Sequence, residues 1–146
     1  MSIHTYSVNR TIIGRLSHGA DLLAEITRIA NEEKIVTGTI TGLGGLKKGA
    51  VAFLNQKTKE YERIEFNEPM EIASLVGNIS RMKQRAFPHV HVTLSDRQGR
   101  VFGGHLVQGC EIWAVEIMIT VLDGGTLSRD FDSETGLALW PKESTL

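Results

Sequence analysis

Pro88-His89-Val90-His91-Val92-Thr93-Leu94-Ser95-Asp96-Arg97-Gln98-Gly99-Arg100-Val101-Phe102-Gly103-Gly104-His105-Leu106 consists of two alternating runs joined by a polar turn. Strand side chains alternate with period two, so His89, His91, Thr93 and Ser95 share one face while Val90, Val92 and Leu94 share the other. A three-residue hairpin loop built on a type I turn ends in a left-handed residue, usually glycine, and Arg97-Gln98-Gly99 fits that pattern. With this loop Asp96 pairs with Arg100, and counting outward sets His91 opposite His105. All three histidines then project from one side. Directly opposed Cβ atoms stand roughly 4.5 to 5.5 Å apart and the diagonal His89 about 7 to 8 Å from His105. Imidazoles on such a triangle can converge on one ion at about 2.0 to 2.1 Å, the zinc to nitrogen distance. A two-residue loop would turn His105 to the core face, so the metal reading depends on the turn. The same residues also admit a plainer role as sheet-face histidines with ordinary hydrogen bonds.

Outward from the hairpin, most of the chain reads as strand. Ile35 to Leu46, Gly49 to Asn55, Lys57 to Phe66, Met70 to Ser80, Val101 to Val107 and Ile112 to Leu122 are β-rich, separated by Gly, Pro, Asn and charged residues. One segment, Gly19 to Lys34, reads as helix, with Leu22, Leu23, Ile26, Ile29 and Ala30 on one face and Asp21 in its first turn. Glycines at 38, 42, 44, 45, 77, 103 and 104 lie inside strands, where they mark bulges or close backbone approach. The expected fold is α+β, a curved, mostly antiparallel sheet with one main helix. The apolar tail of Leu137, Leu139 and Trp140 is expected to dock on its own core or on a neighbouring subunit.

With 146 residues, 41% of them hydrophobic, the chain is expected to form a single domain, 1–146. Sixteen basic and seventeen acidic residues leave a net charge of -1, so no global positive field draws the protein onto nucleic acid. The single cysteine, Cys110, excludes an intramolecular disulfide framework and reads as a small filler. The first residues lack a signal-peptide pattern, and Ile112 to Leu122 is too short for a spanning helix. A cytoplasmic protein without membrane contact is the expectation.

Several other residues bear on function. Arg81, Lys83 and Arg85 alternate with Met82 and Gln84, and in extended backbone would form a basic edge for DNA phosphates; a solvated loop is the alternative. Glu116 lies in an apolar strand, where it could accept a hydrogen bond from a metal-bound histidine or form an ordinary ion pair. Glu71 and Asn78 point to opposite faces if their strand is regular. Gly42-Leu43-Gly44-Gly45 lacks the Lys-Ser or Lys-Thr pair of a phosphate loop and reads as curved strand.

Together, Pro88-His89-Val90-His91-Val92, the Gly99 turn and Gly103-Gly104-His105-Leu106 resemble the signature of the plants-and-prokaryotes conserved (PPC) domain. Met70 to Asn78 resembles that family's Glu-Ile-x-Ser-Leu-x-Gly strand, Ile40 to Gly44 its earlier glycine-rich strand, and Glu116-Ile117 a late Glu-Val pair. The resemblance covers roughly residues 10 to 136. It implies a homotrimer with a DNA-associated role, and a metal on His89, His91 and His105. It also implies AT-hook segments in plant members, whereas this chain holds no Arg-Gly-Arg-Pro, so DNA binding is expected to be weak. Imidazole ligands suit zinc, copper, nickel and iron, with zinc the default divalent ion. Two functions stay open: a non-enzymatic, metal-containing, DNA-associated trimer, and a hydrolase-like enzyme using the coordination position that three histidines leave to water.

Overall fold

The structure is a computed structural model and describes residues 3–141. Among these residues nine strands and one helix follow the order β1 (Ser7–Arg15), α1 (Leu22–Glu32), β2 (Gly38–Asn55), β3 (Glu60–Phe66), β4 (Met70–Met82), β5 (Arg85–Ser95), β6 (Val101–Leu106), β7 (Glu111–Asp123), β8 (Asp130–Asp132) and β9 (Leu137–Leu139). The result is a strand-dominated α+β fold with a single short helix, and every strand pair is antiparallel.

The main sheet runs β1-β7-β2-β4-β5-β6, with β3 on β2. Strand β2 is one continuous element where the sequence suggested two. Its first half pairs with β4 and β7, and its second half pairs with β3 and, through Val51 and Ala52, with β6. The sheet therefore curls until β6 meets the far half of β2. A bulge between Gly42 and Gly44 lies within this bent strand, as the glycine pattern suggested. Strand β1 was not foreseen. Its burial alternates only weakly, and its place at the sheet edge comes from pairing with β7.

Helix α1 starts later than the sequence suggested. Asp21 is not in its first turn but caps it: Oδ1 accepts from the Ala24 N–H at 2.9 Å and Oδ2 from the Gly109 N–H at 2.7 Å. At the other end Lys34 turns left-handed (φ 54°) and the Ile35 N–H bonds back to the Ala30 carbonyl, closing the helix. Leu22, Ile26 and Ala30 are fully buried against the inner sheet face, among Ile40, Leu75, Ile79, Val90, Leu94 and Ile119. Each large aliphatic side chain buried this way contributes about 1.5 to 3 kcal/mol, which fixes which face of β5 points inward. Because Val90, Val92 and Leu94 belong to this core, His89 and His91 must face outward.

Candidate metal centre

The hairpin between β5 and β6 has the register its turn residues predict. Gly99 is left-handed (φ 76°), its N–H bonds to the Asp96 carbonyl at 3.0 Å, and the Asp96 N–H bonds to the Arg100 carbonyl at 3.0 Å. Asp96 locks this turn. Its Oδ1 accepts from the N–H groups of Gln98 and Arg100 at 2.9 Å each, and Oδ2 accepts from Arg100 Nε at 2.6 Å. Burial raises the Asp96 pKa, but the Arg100 side chain and these N–H groups outweigh it and hold the carboxyl below its usual range. With the turn fixed, Ser95 pairs with Val101 and His91 with His105.

The three imidazoles converge. Ring centroids lie 5.3 Å apart for His89 and His91, 5.0 Å for His89 and His105, and 5.6 Å for His91 and His105. One nitrogen from each lies within 4.8 Å of the others. Strand β4 approaches β5 closely behind them. A Cβ on Gly77 would stand 2.3 Å from the His89 carbonyl oxygen, so only glycine permits this spacing.

The chemistry of these donors suits a metal. Burial, followed by the neighbouring His89, His91 and Arg129, pushes the His105 pKa down to about 4. Burial, Arg129 and His91 lower that of His89. Both rings are then neutral near pH 7, as ligands must be. His105 Nδ1 is buried without a hydrogen-bond partner among the described residues, a costly condition that a bound ion would relieve if this nitrogen is the ligating one.

Arg129, which the sequence did not single out, completes the neighbourhood. Its side chain donates from Nε to Ser80 Oγ (2.8 Å), from Nη1 to the Ala138 carbonyl (2.8 Å) and from Nη2 to Asn78 Oδ1 (2.9 Å), with His89 Nδ1 at 3.4 Å. The guanidinium also lies against the rings of Phe87 and Trp140, at 5.1 and 5.2 Å. Tyr61 from β3 stacks on His105 with centroids 5.0 Å apart. A cleft of about 200 Å³ opens between Tyr61, Phe87, His89, His105, Arg129 and residues 136–139. The apolar tail thus covers the site, with the β8-β9 hairpin as one wall. A larger groove of about 710 Å³, around Met70, Asp96 and Trp113, contains no histidine.

Other candidate residues fall elsewhere. Glu116 is exposed on β7, opposite Arg15 and Leu43. Three inter-strand steps separate β7 from β5, roughly 14 Å, so within the chain Glu116 does not reach the histidines. Arg81, Lys83 and Arg85 do not form an extended edge. Lys83 and Gln84 are both left-handed (φ 47° and 65°) and make a two-residue hairpin turn, while Arg81 donates to the backbone carbonyls of Ile35 and Gln84. Glu71 and Asn78 both lie outside the core, because the bulge between Ile72 and Ser74 breaks the regular alternation of β4. Cys110 is fully buried, with Sγ 3.2 Å from both the N and O of Ala50, and burial raises its pKa. It serves as a core filler.

Comparison with known proteins gives consistent results. The family model of the Plants and Prokaryotes Conserved (PCC) domain matches residues 3–123. A metal-containing protein of Archaeoglobus fulgidus superposes with a TM-score of 0.92 at 35% identity, over 97% of this chain and 100% of the other. A plant- and prokaryote-conserved (PPC) protein of Pyrococcus horikoshii gives 0.91 at 35% identity, over 99% of each chain. A Bacteroides thetaiotaomicron structure described as a "putative dna binding protein" gives 0.83 at 27% identity, over 93% of this chain and 96% of the other. The bifunctional protein GlmU of Synechococcus is 32% identical over 84% of this chain, which spans only 19% of that protein's length.

Proposed function

Since the chain belongs to the Plants and Prokaryotes Conserved domain family, we propose that it is a metal-binding domain holding one divalent ion on His89, His91 and His105. The observation that carries this reading is the convergence of three ring nitrogens within 4.8 Å on one hairpin face. The metal content of the Archaeoglobus relative supports it. Zinc is the ion assigned, since neutral imidazoles are among its common ligands, and three of them leave one position for water or another ligand. Metal analysis of the untagged protein should find about one ion per chain, and His91→Ala should lose it. Wild-type stoichiometry in that variant would refute the assignment.

The ion is held in a homotrimer. Support comes from the family resemblance and from exposed apolar side chains on the outer sheet face: Ile13, Leu43, Val76 and Met118. A role at DNA has its support in the description of the Bacteroides relative. The chain itself offers DNA only scattered basic residues, so the proposed contact is weak and non-specific.

The catalytic alternative has the cleft beside the histidines in its favour. Among the described residues no carboxylate lines that cleft, so a hydrolase-like reaction would depend on an ion held by His89, His91 and His105 making its bound water acidic enough to lose a proton to solvent.

A further inference from the structure

Arg129 is 6% exposed, yet among the described residues it takes part in no ion pair. Its hydrogen-bond partners among the described residues, Ser80, Asn78, Ala138 and His89, are all uncharged acceptors. Burying a cation without a counter-charge is costly, and neutral acceptors offset only part of that cost. Four of the five guanidinium N–H groups face Ser80, Ala138, Asn78 and, at 3.4 Å, His89, so one N–H, on Nη1, is left for a ligand. Among the described residues, the cleft beside this group is lined by Arg129, two histidines and Tyr61, without any aspartate or glutamate. A second observation concerns the same lining: His105 borders this cleft, and its buried Nδ1 has no hydrogen-bond partner among the described residues. The potential there is positive before any ion is added, and a divalent ion on the histidines would raise it further.

We propose that this cleft binds a small organic carboxylate, with Arg129 as its charge partner. The proposal rests on the metal reading in one respect: with an ion on the three histidines, a second group of the same ligand could occupy the remaining coordination position. A cleft of about 200 Å³ is smaller than the pockets that hold drug-sized molecules, so the ligand is limited to a short chain. Phe87, Leu137 and Leu139 supply apolar walls, which suit an aliphatic or 2-oxo acid body better than a bare inorganic anion. The charge of the guanidinium and its remaining Nη1 N–H favour an ionised carboxylate oxygen over a neutral acceptor.

Isothermal titration of the full chain, with metal content measured in the same preparation, tests this. The probes are butanoate, 2-oxobutanoate and the isosteric amide butanamide. Butanoate or 2-oxobutanoate is expected to bind at least tenfold more tightly than butanamide. Arg129→Lys is expected to weaken carboxylate binding about tenfold with metal stoichiometry unchanged. Equal binding of acid and amide, or no binding by either acid, would overturn the proposal, and neither result depends on a variant that folds. Protein without bound metal is titrated in parallel. Carboxylate binding there, with no metal taken up by any preparation, would sink the metal reading and leave the Arg129 site standing.

Discussion

His91 and His105 are directly opposed across the β5–β6 hairpin, in a cross-strand row that runs Ile13, Met118, Thr41, Val76, His91, His105 and on to Ala52. The row places the candidate metal centre at the margin of an exposed apolar face, because Ile13, Met118 and Val76 are all solvent-facing. The proposed assembly surface and the proposed metal centre are thereby neighbours on one sheet.

The turn controls the site. Deleting Gly99 would leave a two-residue loop, shift β6 by one position and turn His105 into the core. Metal content measured by mass spectrometry should fall to background. Gly99→Ala, which only strains the left-handed position, should cost about 1 kcal/mol in denaturant unfolding and keep the metal.

Subunit contact should depend on the apolar row. Val76 is 56% exposed and faces away from the core, so Val76→Asp should leave the fold intact yet convert a trimer to monomers by light scattering. A wild-type monomer at micromolar concentration would rule out the trimer altogether.

Acid stability should carry the signature of Glu25. The hydrogen bond from Arg28 outweighs burial, and with Ser17 it lowers the Glu25 pKa from 4.5 to about 2. A carboxyl with a depressed folded-state pKa stabilises fully above its unfolded value, and that contribution disappears as pH falls from about 4.5 towards 2. Arg28 is half exposed, so screening reduces the effect to about 1 kcal/mol. Glu25→Gln should destabilise by that amount at pH 7 and flatten the acid limb of a stability profile.

DNA affinity should be low and salt-sensitive. Each chain carries a net charge of -1, so three copies carry about -3 and exert no long-range attraction. Binding that depends on phosphate contacts falls with a slope of about -0.9 per phosphate neutralised. A fluorescence titration should give at most micromolar affinity at low salt and none near physiological salt. Changing Arg81, Lys83 and Arg85 to Ala should lower even that. Nanomolar binding that survives high salt would contradict the charge argument.

The histidine triangle was legible because everything that builds it is local. Alternation along β5, a turn ending in Gly99 and counting back along β6 involve only residues 88–106, and once the loop has three residues period-two geometry leaves one register. The single helix and most strands were legible for the same reason, since apolar periodicity reports which face is buried. Arg129 could not be found this way. It lies 40 residues from His89, and only the fold brings Ser80, Asn78 and Ala138 around it. The position of Glu116 was likewise decided by sheet order, which inserts β2 and β4 between its strand and β5. The basic alternation at Arg81, Lys83 and Arg85 suggested an edge because sequence spacing assumes extended backbone, whereas pairing of Met82 with Arg85 forces a tight turn. Short-range patterns thus determined the donors, while the charge that faces them came from contacts between segments distant in sequence, which no local period encodes.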